Sequence, residues 1–389
     1  MTSINKVQVK NLYKVFGENP NLAMQMIKNG QNKDQIFQQT GMVLGVRDAT
    51  FDVRQGEIFV LMGLSGSGKS TLIRLLNRLV EPTAGEVLLD GRDVAKLDEK
   101  SLINLRRKDM AMVFQSFALL PHLTVLQNTA FGLEVAGVTK TVRERRAYEV
   151  LEQVGLKAFA GKKPSELSGG MQQRVGLARA LAVDPSLMLM DEAFSALDPL
   201  KRTEMQELLL QLQKEQQRTI VFVSHDLDEA FKIGNRIAIM EGGRIVQVGT
   251  PDEILRNPSE EYVRAFFKGV DVKKYFVAQD LVEPADIFNW SDFSSSNATE
   301  MCANLLEKMH QNGQQKIYLT NSEGRLLGQV LQDELRVALS NQSVQSGLWQ
   351  ASSASCVSAF MPMHELAKEV VKAKHSVAVV DAEQKILGQ

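Results

Sequence analysis

Cysteine is nearly absent from this chain. Cys302 and Cys356 are 2 residues in 389. They cannot build a disulfide framework, and they fit a reducing compartment. A charge excess of either sign is also missing: 45 Lys and Arg stand against 46 Asp and Glu, a net charge of -1. That balance gives no reason to expect nucleic acid or a polybasic membrane contact. Nowhere do 18 apolar residues run together, so no segment is expected to cross a membrane. The start, Met1-Thr-Ser-Ile-Asn-Lys, has neither an apolar run nor a cleavage site. No signal peptide is expected there. What is present is length with 44% apolar residues, enough for two or three domains with real cores. Collagen, coiled coil and disorder are excluded as descriptions of the whole. A single TIM-like barrel is not excluded by length alone.

Residues 1–17 alternate through Val7, Val9, Leu12 and Val15, which reads as a strand or hairpin edge. Residues 18–44 are rich in Asn, Gln and Met, with Gly30 and Gly41 as punctuation, and read as two short helices inserted between strands. Strands are expected at 46–53 and 58–62. Then come Gly63-x-x-x-x-Gly68-Lys69-Ser70 and a helical repeat of Leu72, Ile73, Leu75, Leu76 and Leu79. Strand, glycine loop and helix make the βα half of a parallel α/β unit. Residues 98–185 read as mostly helical, with Thr141 and Glu144 as a capping box for a helix through Val154. Buried strands are expected at Leu187–Met190 and Thr219–Ser224, with a helix at 201–216 between them and another at 251–267.

Beyond residue 276 a repeat appears. Residues 317–329 resemble 377–389, each a strand, a polar turn and a short strand closing on Leu-Gly-Gln. The first copy continues into a helix at 333–339; the second stops at Gln389, so that module reads as incomplete. The charge also divides here. Residues 277–389 hold 8 basic and 13 acidic side chains, so the preceding part is net positive.

Three motifs carry chemistry. The Gly63 to Thr71 loop is the P-loop pattern: backbone N–H groups cradle phosphates at a helix N-terminus, Lys69 reaches the β- and γ-phosphates, and Ser70 binds Mg²⁺. Leu187-Met-Leu-Met-Asp191-Glu192 is an apolar strand that delivers Asp191 to the metal and Glu192 to an attacking water as general base. Ser168-Gly169-Gly170 opens a helix. Its ordinary reading is an N-cap; it is equally a bare anion site.

In this order, the motifs resemble the ATP-binding subunits of ABC transporters, over about residues 4–250. Leu167-Ser-Gly-Gly-Met-Gln-Gln173 matches the family signature, Gln115 the Q-loop, Ser195-Ala-Leu-Asp198 the D-loop and His225 the switch histidine. Phe16 sits where the family stacks an aromatic on adenine. The resemblance implies ATP and Mg²⁺ as cofactors. Glu192, His225 and Gln115 would be catalytic. Phe16, Gly63, Ser65, Gly66, Ser67, Gly68, Lys69, Ser70, Thr71, Ser168, Gly169 and Gly170 would bind nucleotide. Ser70, Gln115 and Asp191 would face the metal. It implies a head-to-tail homodimer of ATPase subunits in which Ser168 and Gly170 complete the partner's site.

Asn11-Leu-Tyr-Lys-Val-Phe-Gly17, the P-loop phrase and Met190-Asp-Glu-Ala-Phe-Ser-Ala-Leu-Asp-Pro-Leu200 look like bacterial importers of glycine betaine and proline betaine, the quaternary amine uptake family. So does the 18–44 insert. The expected fold is α/β: an ABC-type P-loop ATPase over 1–270, with a RecA-like core, an antiparallel β subdomain and a helical signature subdomain. An α+β tandem CBS-like regulatory domain follows over 277–389. Where such modules bind adenosine ligands, a Thr or Ser precedes Asp by three residues. Leu331 and Glu334 occupy those positions here, so that chemistry is not expected. The implied partners are integral membrane permease subunits and, indirectly, a periplasmic or extracellular substrate-binding protein, with no nucleic acid. Phe117 and Leu119 would meet the permease. The implied location is the cytoplasmic face of the inner (plasma) membrane, peripherally. Two alternatives stay open: an importer ATPase for another small solute such as an amino acid, and a non-transport ABC protein.

Overall fold

The computed structural model describes residues 4–268, 277–290, 298–341, 344, 351–373 and 376–389. Two compact units divide the chain, Met1–Lys268 and Gly269–Gln389. The domain boundary read between 270 and 277 lies outside the described residues.

The first unit begins with β1 (Asn5–Phe16), then the inserted helices α1 (Pro20–Lys28) and α2 (Lys33–Thr40), then β2 (Val43–Arg54). β1 is not a hairpin edge: it lies between β2 and a later strand and bonds to both. β3 (Ile58–Met62) leads through the glycine loop into α3 (Lys69–Leu76). β4 (Ala84–Leu89) and β5 (Arg92–Asp93) complete a four-stranded antiparallel sheet in the order β2-β1-β4-β5.

The stretch expected to be helical contains a strand. α4 (Glu99–Lys108) is followed by β6 (Met110–Val113), which pairs parallel with a later strand. Four residues are too few to display a period. Next come α5 (Val125–Val135), α6 (Lys140–Gln153) and α7 (Gly169–Ala182). The capping box expected at Thr141 is absent. α6 starts two residues earlier, with Thr139 at the cap and its carbonyl accepting from Val142 and Arg143. Glu144 instead pairs with Lys140 at 3.8 Å.

β7 (Leu187–Asp191), α8 (Pro199–Gln216), β8 (Thr219–Val223), α9 (Leu227–Ile233), β9 (Arg236–Glu241) and β10 (Arg244–Gly249) finish the core. The six-stranded order is β10-β9-β3-β8-β7-β6, parallel except for the β9–β10 hairpin. The final helix expected over 251–267 is two, α10 (Pro251–Arg256) and α11 (Glu261–Phe266). Pro258 lies between them, and the residue before a proline avoids helical backbone.

β3, β7 and β8 are buried on both faces, as parallel strands must be. Alternation then splits their side chains between two cores. Ile58, Val60, Met62, Met188, Met190, Ile220 and Phe222 pack with α5 to α9. Phe59, Leu61, Leu187, Leu189, Val221 and Val223 pack with α3, α4 and the antiparallel sheet. Each such side chain contributes roughly 1.5–3 kcal/mol by leaving water. The polar loops are thereby left at the carboxyl ends of the strands.

The second unit is a doubled βαββ pattern. β11 (Ile287–Asn289), α12 (Ala298–Gln311), β12 (Lys316–Thr320) and β13 (Leu326–Leu331) form the first copy, followed by α13 (Gln332–Ser340). β14 (Cys356–Ser358), α14 (Met363–Ala373), β15 (Ala378–Val380) and β16 (Ile386–Gly388) form the second. In both, the first pairing is parallel and the second antiparallel. The hairpin turns are equivalent. The Asn321 side chain accepts from the amides of Glu323 and Arg325, and Asp381 accepts from those of Glu383 and Lys385. The two turns meet at an Arg325–Lys385 bridge. Both cysteines are free, and burial pushes the Cys302 thiol up to about 11.

Candidate functional site

The glycine loop spans Gly63–Gly68, between a buried strand and α3. Two of its glycines are required by close packing. Gly63 has φ 152°, and a Cβ there would sit 2.2 Å from the Met240 carbonyl oxygen. Gly68 has φ 105°, and its Cβ would meet the Gly45 carbonyl oxygen at 2.3 Å. Only glycine adopts such backbone without strain. The loop therefore lies close against β2 and β9, and its Ser67 amide closes a turn on the Leu64 carbonyl.

Lys69 is 4% exposed. Its ammonium donates to the carbonyls of Gly63 at 2.9 Å and Leu64 at 3.0 Å. One of its three protons remains for a ligand. Burial pulls its pKa down, while Glu192 and Asp191 push it up. The Ser67 hydroxyl is buried and finds no protein partner. A phosphate oxygen is the natural complement for such a group.

Ser70 donates to Asp191 Oδ1 at 2.8 Å, and Arg74 pairs with Asp191 Oδ2 at 3.2 Å. Asp191 ends β7 and is buried. A hydroxyl and a carboxylate at the phosphate end suit a hard cation. Among the described residues no three His, Cys, Asp or Glu side chains gather as a metal cage. Mg²⁺ asks for none; it takes one or two protein oxygens, water and phosphate. The donor set fits.

Glu192 has φ 47°, a left-handed backbone that strains a glutamate. Its amide bonds to the Val223 carbonyl. Its carboxylate lies 3.3 Å from His225 Nδ1 and accepts from Gln115 Nε2 at 3.3 Å. Gln115 also donates to Ser195 Oγ at 3.3 Å. Its amide nitrogen is thus engaged with Glu192 and Ser195 rather than with the Ser70–Asp191 pair.

A cleft of about 260 Å³ runs from the loop to Phe16. Ser65, Gly66, Gly68 to Thr71 and Glu192 line it together with Phe16, Lys33, Val43, Leu44 and Gly45. The Phe16 ring lies over bare Gly45, where a Cβ would stand 2.8 Å from it. The Lys14 ammonium sits 4.9 Å from the ring centre. Lys33 and Gly45 were not singled out in the sequence, where no local pattern marks them.

Ser168, Gly169 and Gly170 do not line this cleft. Ser168 caps α7, accepting from the Met171 amide at 3.4 Å, so the ordinary cap reading holds within one chain. The start of that helix is exposed. Of the residues expected to dock a permease, Leu119 packs against the helical core. Phe117 is half-buried, its ring tip near Gly169.

Behind His225 lies a polar network that the sequence does not display. Arg202 of α8 pairs with Asp226 at 2.7 Å and donates to the Leu197 carbonyl. Ser224 donates to Glu229, which also accepts from Gln206. Burial raises the Glu229 pKa, opposed by those two hydrogen bonds. A raised carboxyl pKa contributes stability fully below the unfolded value near 4.5 and loses it as pH climbs through the folded value. Glu229→Gln escapes that loss. Its melting temperature relative to wild type should therefore rise between pH 4 and pH 7; parallel thermal melts across that range would contradict the assignment.

A larger cavity, about 590 Å³, opens at the amino ends of β7 and β8. Its cations are already matched: Lys6 with Asp90, Arg146 with Glu149 and Arg218 with Asp184. Ligands of open α/β sheets bind at the carboxyl ends, where the glycine loop lies.

Residues 46–195 match the family model described as ABC transporter. The chain is 52% identical over 387 residues to the glycine betaine/proline betaine transport system ATP-binding protein ProV of Escherichia coli (strain K12), covering 98% of this chain and 94% of that protein. It is 46% identical to the glycine betaine transport ATP-binding protein OpuAA of Bacillus subtilis (strain 168), covering 98% and 90%. Among solved structures, a bacterial ABC transporter cassette in a dimeric structure aligns with TM-score 0.53 and 33% identity, over 63% of this chain and 98% of that one. The same cassette in a post-hydrolysis state bound to ADP and Pi aligns equally well.

Proposed function

This chain belongs to the ATP-binding subunits of ABC transporters, and from that premise we propose that it is the energy-coupling ATPase of an importer for glycine betaine, proline betaine or a related quaternary amine. The observation that carries the catalytic part is that Glu192, which lines the glycine-loop cleft, is held by His225 and Gln115. Phe16 stacks on the adenine, and the loop amides and Lys69 hold the phosphates. Mg²⁺, when bound, neutralises phosphate charge beside Ser70 and Asp191. Glu192 takes a proton from water as its oxygen attacks the γ-phosphorus. The bond to the β–γ bridging oxygen breaks, and ADP and phosphate leave. His225 and Gln115 orient the water and the γ-phosphate.

Ser168 and Gly169, exposed, and half-buried Gly170 lie outside their own chain's cleft and serve the site of a second copy. Two ATP molecules then bridge a head-to-tail dimer, and hydrolysis releases the bridge. Among the described residues no helix is long and apolar enough to cross a membrane. The pore is therefore assigned to permease subunits, with this chain docked peripherally at the cytoplasmic face. The quaternary amine rests on the likeness to betaine transport proteins. The doubled βαββ unit is read as a tandem CBS-like regulator.

Purification from detergent-solubilised membranes tests the assignment. The chain should copurify with a membrane permease. Truncation before residue 277 should alter the salt dependence of the complex's ATPase without abolishing it. Recovery with ribosomes or DNA instead, or an unchanged salt response, would contradict the corresponding part.

A further inference from the structure

Residues of α1 and α2 take no part in the steps above, yet Lys33 lines the nucleotide cleft and the apolar side chains of both helices pack against the strands that carry Phe16 and Gly45. Ala23, Met26, Ile27 and Ile36 share a small core with Val15, Met42 and Leu44. Val15 precedes Phe16 and Leu44 precedes Gly45, so the insert grips both strands beside the ring and the glycine beneath it. Gly17 closes the corner: a Cβ there would meet Met42 Cγ at 2.5 Å.

Lys33 opens α2. A reciprocal capping box between Asn32 and Gln35 fixes its backbone. Its side chain is half-buried and lines the same cleft as Phe16, Ser65 and Lys69. Half-buried Arg202 and buried Lys69 in this unit have carboxylate or carbonyl partners. The Lys33 ammonium has neither among the described residues. A cation partly withdrawn from water without a partner is unfavourable unless a ligand supplies one.

We propose that Lys33 is a nucleotide-binding residue, its ammonium contacting the phosphate chain of ATP, and that the insert is a wall of the ATP site. The proposal rests on the cleft being the ATP site. A contact of this kind is charge-assisted and weakens as salt screens it. The wall also explains why an insert between two strands of one sheet should carry its own core. It holds the cation and the stacking ring in one rigid piece.

Equilibrium binding of ATP and AMP to the full chain tests this, with Lys69→Ala as the reference for lost binding. Lys33→Ala should weaken ATP by about three- to tenfold, Lys33→Glu should weaken it further, and Lys33→Arg should restore it. The loss should be smaller for AMP and should shrink with added salt. Unchanged ATP affinity in both Lys33→Ala and Lys33→Glu would overturn the proposal. So would equal losses for ATP and AMP, which would make Lys33 a support for the ring alone. Wild-type chain that binds no ATP would instead remove the reading of the cleft itself. Melting temperatures near wild type establish that all three variants are folded.

Discussion

Glu192→Gln should bind ATP and hydrolyse it far more slowly than the wild-type chain. The amide keeps the shape and the hydrogen-bonding reach of the side chain, so the contacts to Gln115 and His225 survive. What disappears is the carboxylate's charge and, with it, the proton acceptance from the attacking water that is proposed for Glu192. General-base catalysis is worth about 10²- to 10⁴-fold, and the turnover number should fall within that range. Affinity for ATP should stay within about twofold, since the proposed site holds the phosphates with the glycine loop and Lys69 rather than with Glu192. The ATP-bound dimer should then persist long enough for size-exclusion chromatography. Hydrolysis at the wild-type rate would remove Glu192 from the base role and leave its left-handed backbone without a purpose.

Lys69→Ala should lose ATP binding itself. The ammonium does two things at once. In the proposed site it offers positive charge to the phosphates, and it satisfies the carbonyls of Gly63 and Leu64. Truncation deletes the first and leaves the second unpaired in a buried loop. Removing one partner of a buried charged contact costs about 2–5 kcal/mol, on the order of 30- to 5000-fold in affinity. Equilibrium dialysis with labelled ATP reads this directly. Binding within twofold of wild type would mean that phosphate lies elsewhere. The two variants differ in kind: one stops chemistry with ligand in place, the other removes the ligand.

The strand–loop–helix at Ile58–Leu76 was legible because each part has its own signature. Five apolar residues, a glycine spacing and a helical repeat of leucines agree with one another. Asp191 and Glu192 were legible because a buried strand must end somewhere, and here it ends in carboxylates. β6 was not, because Met110–Val113 is too short to declare a period and follows a strongly basic helix. Thr141 misled because a Ser/Thr–Glu spacing recurs by chance, and the actual cap two residues earlier uses no side-chain bond.

The site's flanks were hidden for a different reason. Lys33 and Gly45, which join the expected Phe16 and Ser65 in the cleft, come from segments that no local pattern links to the glycine loop. Arg202, Gln206 and Glu229 lie on two helices whose polar residues read as solvent-facing until the fold joins them. The repeat in the second unit shows the same limit. Tyr318 and Ala378, 60 residues apart, hold equivalent pairings, but their partners Ile287 and Cys356 are 69 apart. The shift in spacing erased the leading strand from the repeat while leaving the hairpins aligned.

Coupled transport is the most direct measurement. The chain is reconstituted with its permease in vesicles, ATP is supplied on the side bearing this subunit, and labelled glycine betaine is offered on the other. ATP-dependent accumulation is expected, lost in Lys69→Ala and in Glu192→Gln, and outcompeted by proline betaine but not by unmethylated amino acids. Steady ATP hydrolysis with no accumulation of any quaternary amine would contradict the account.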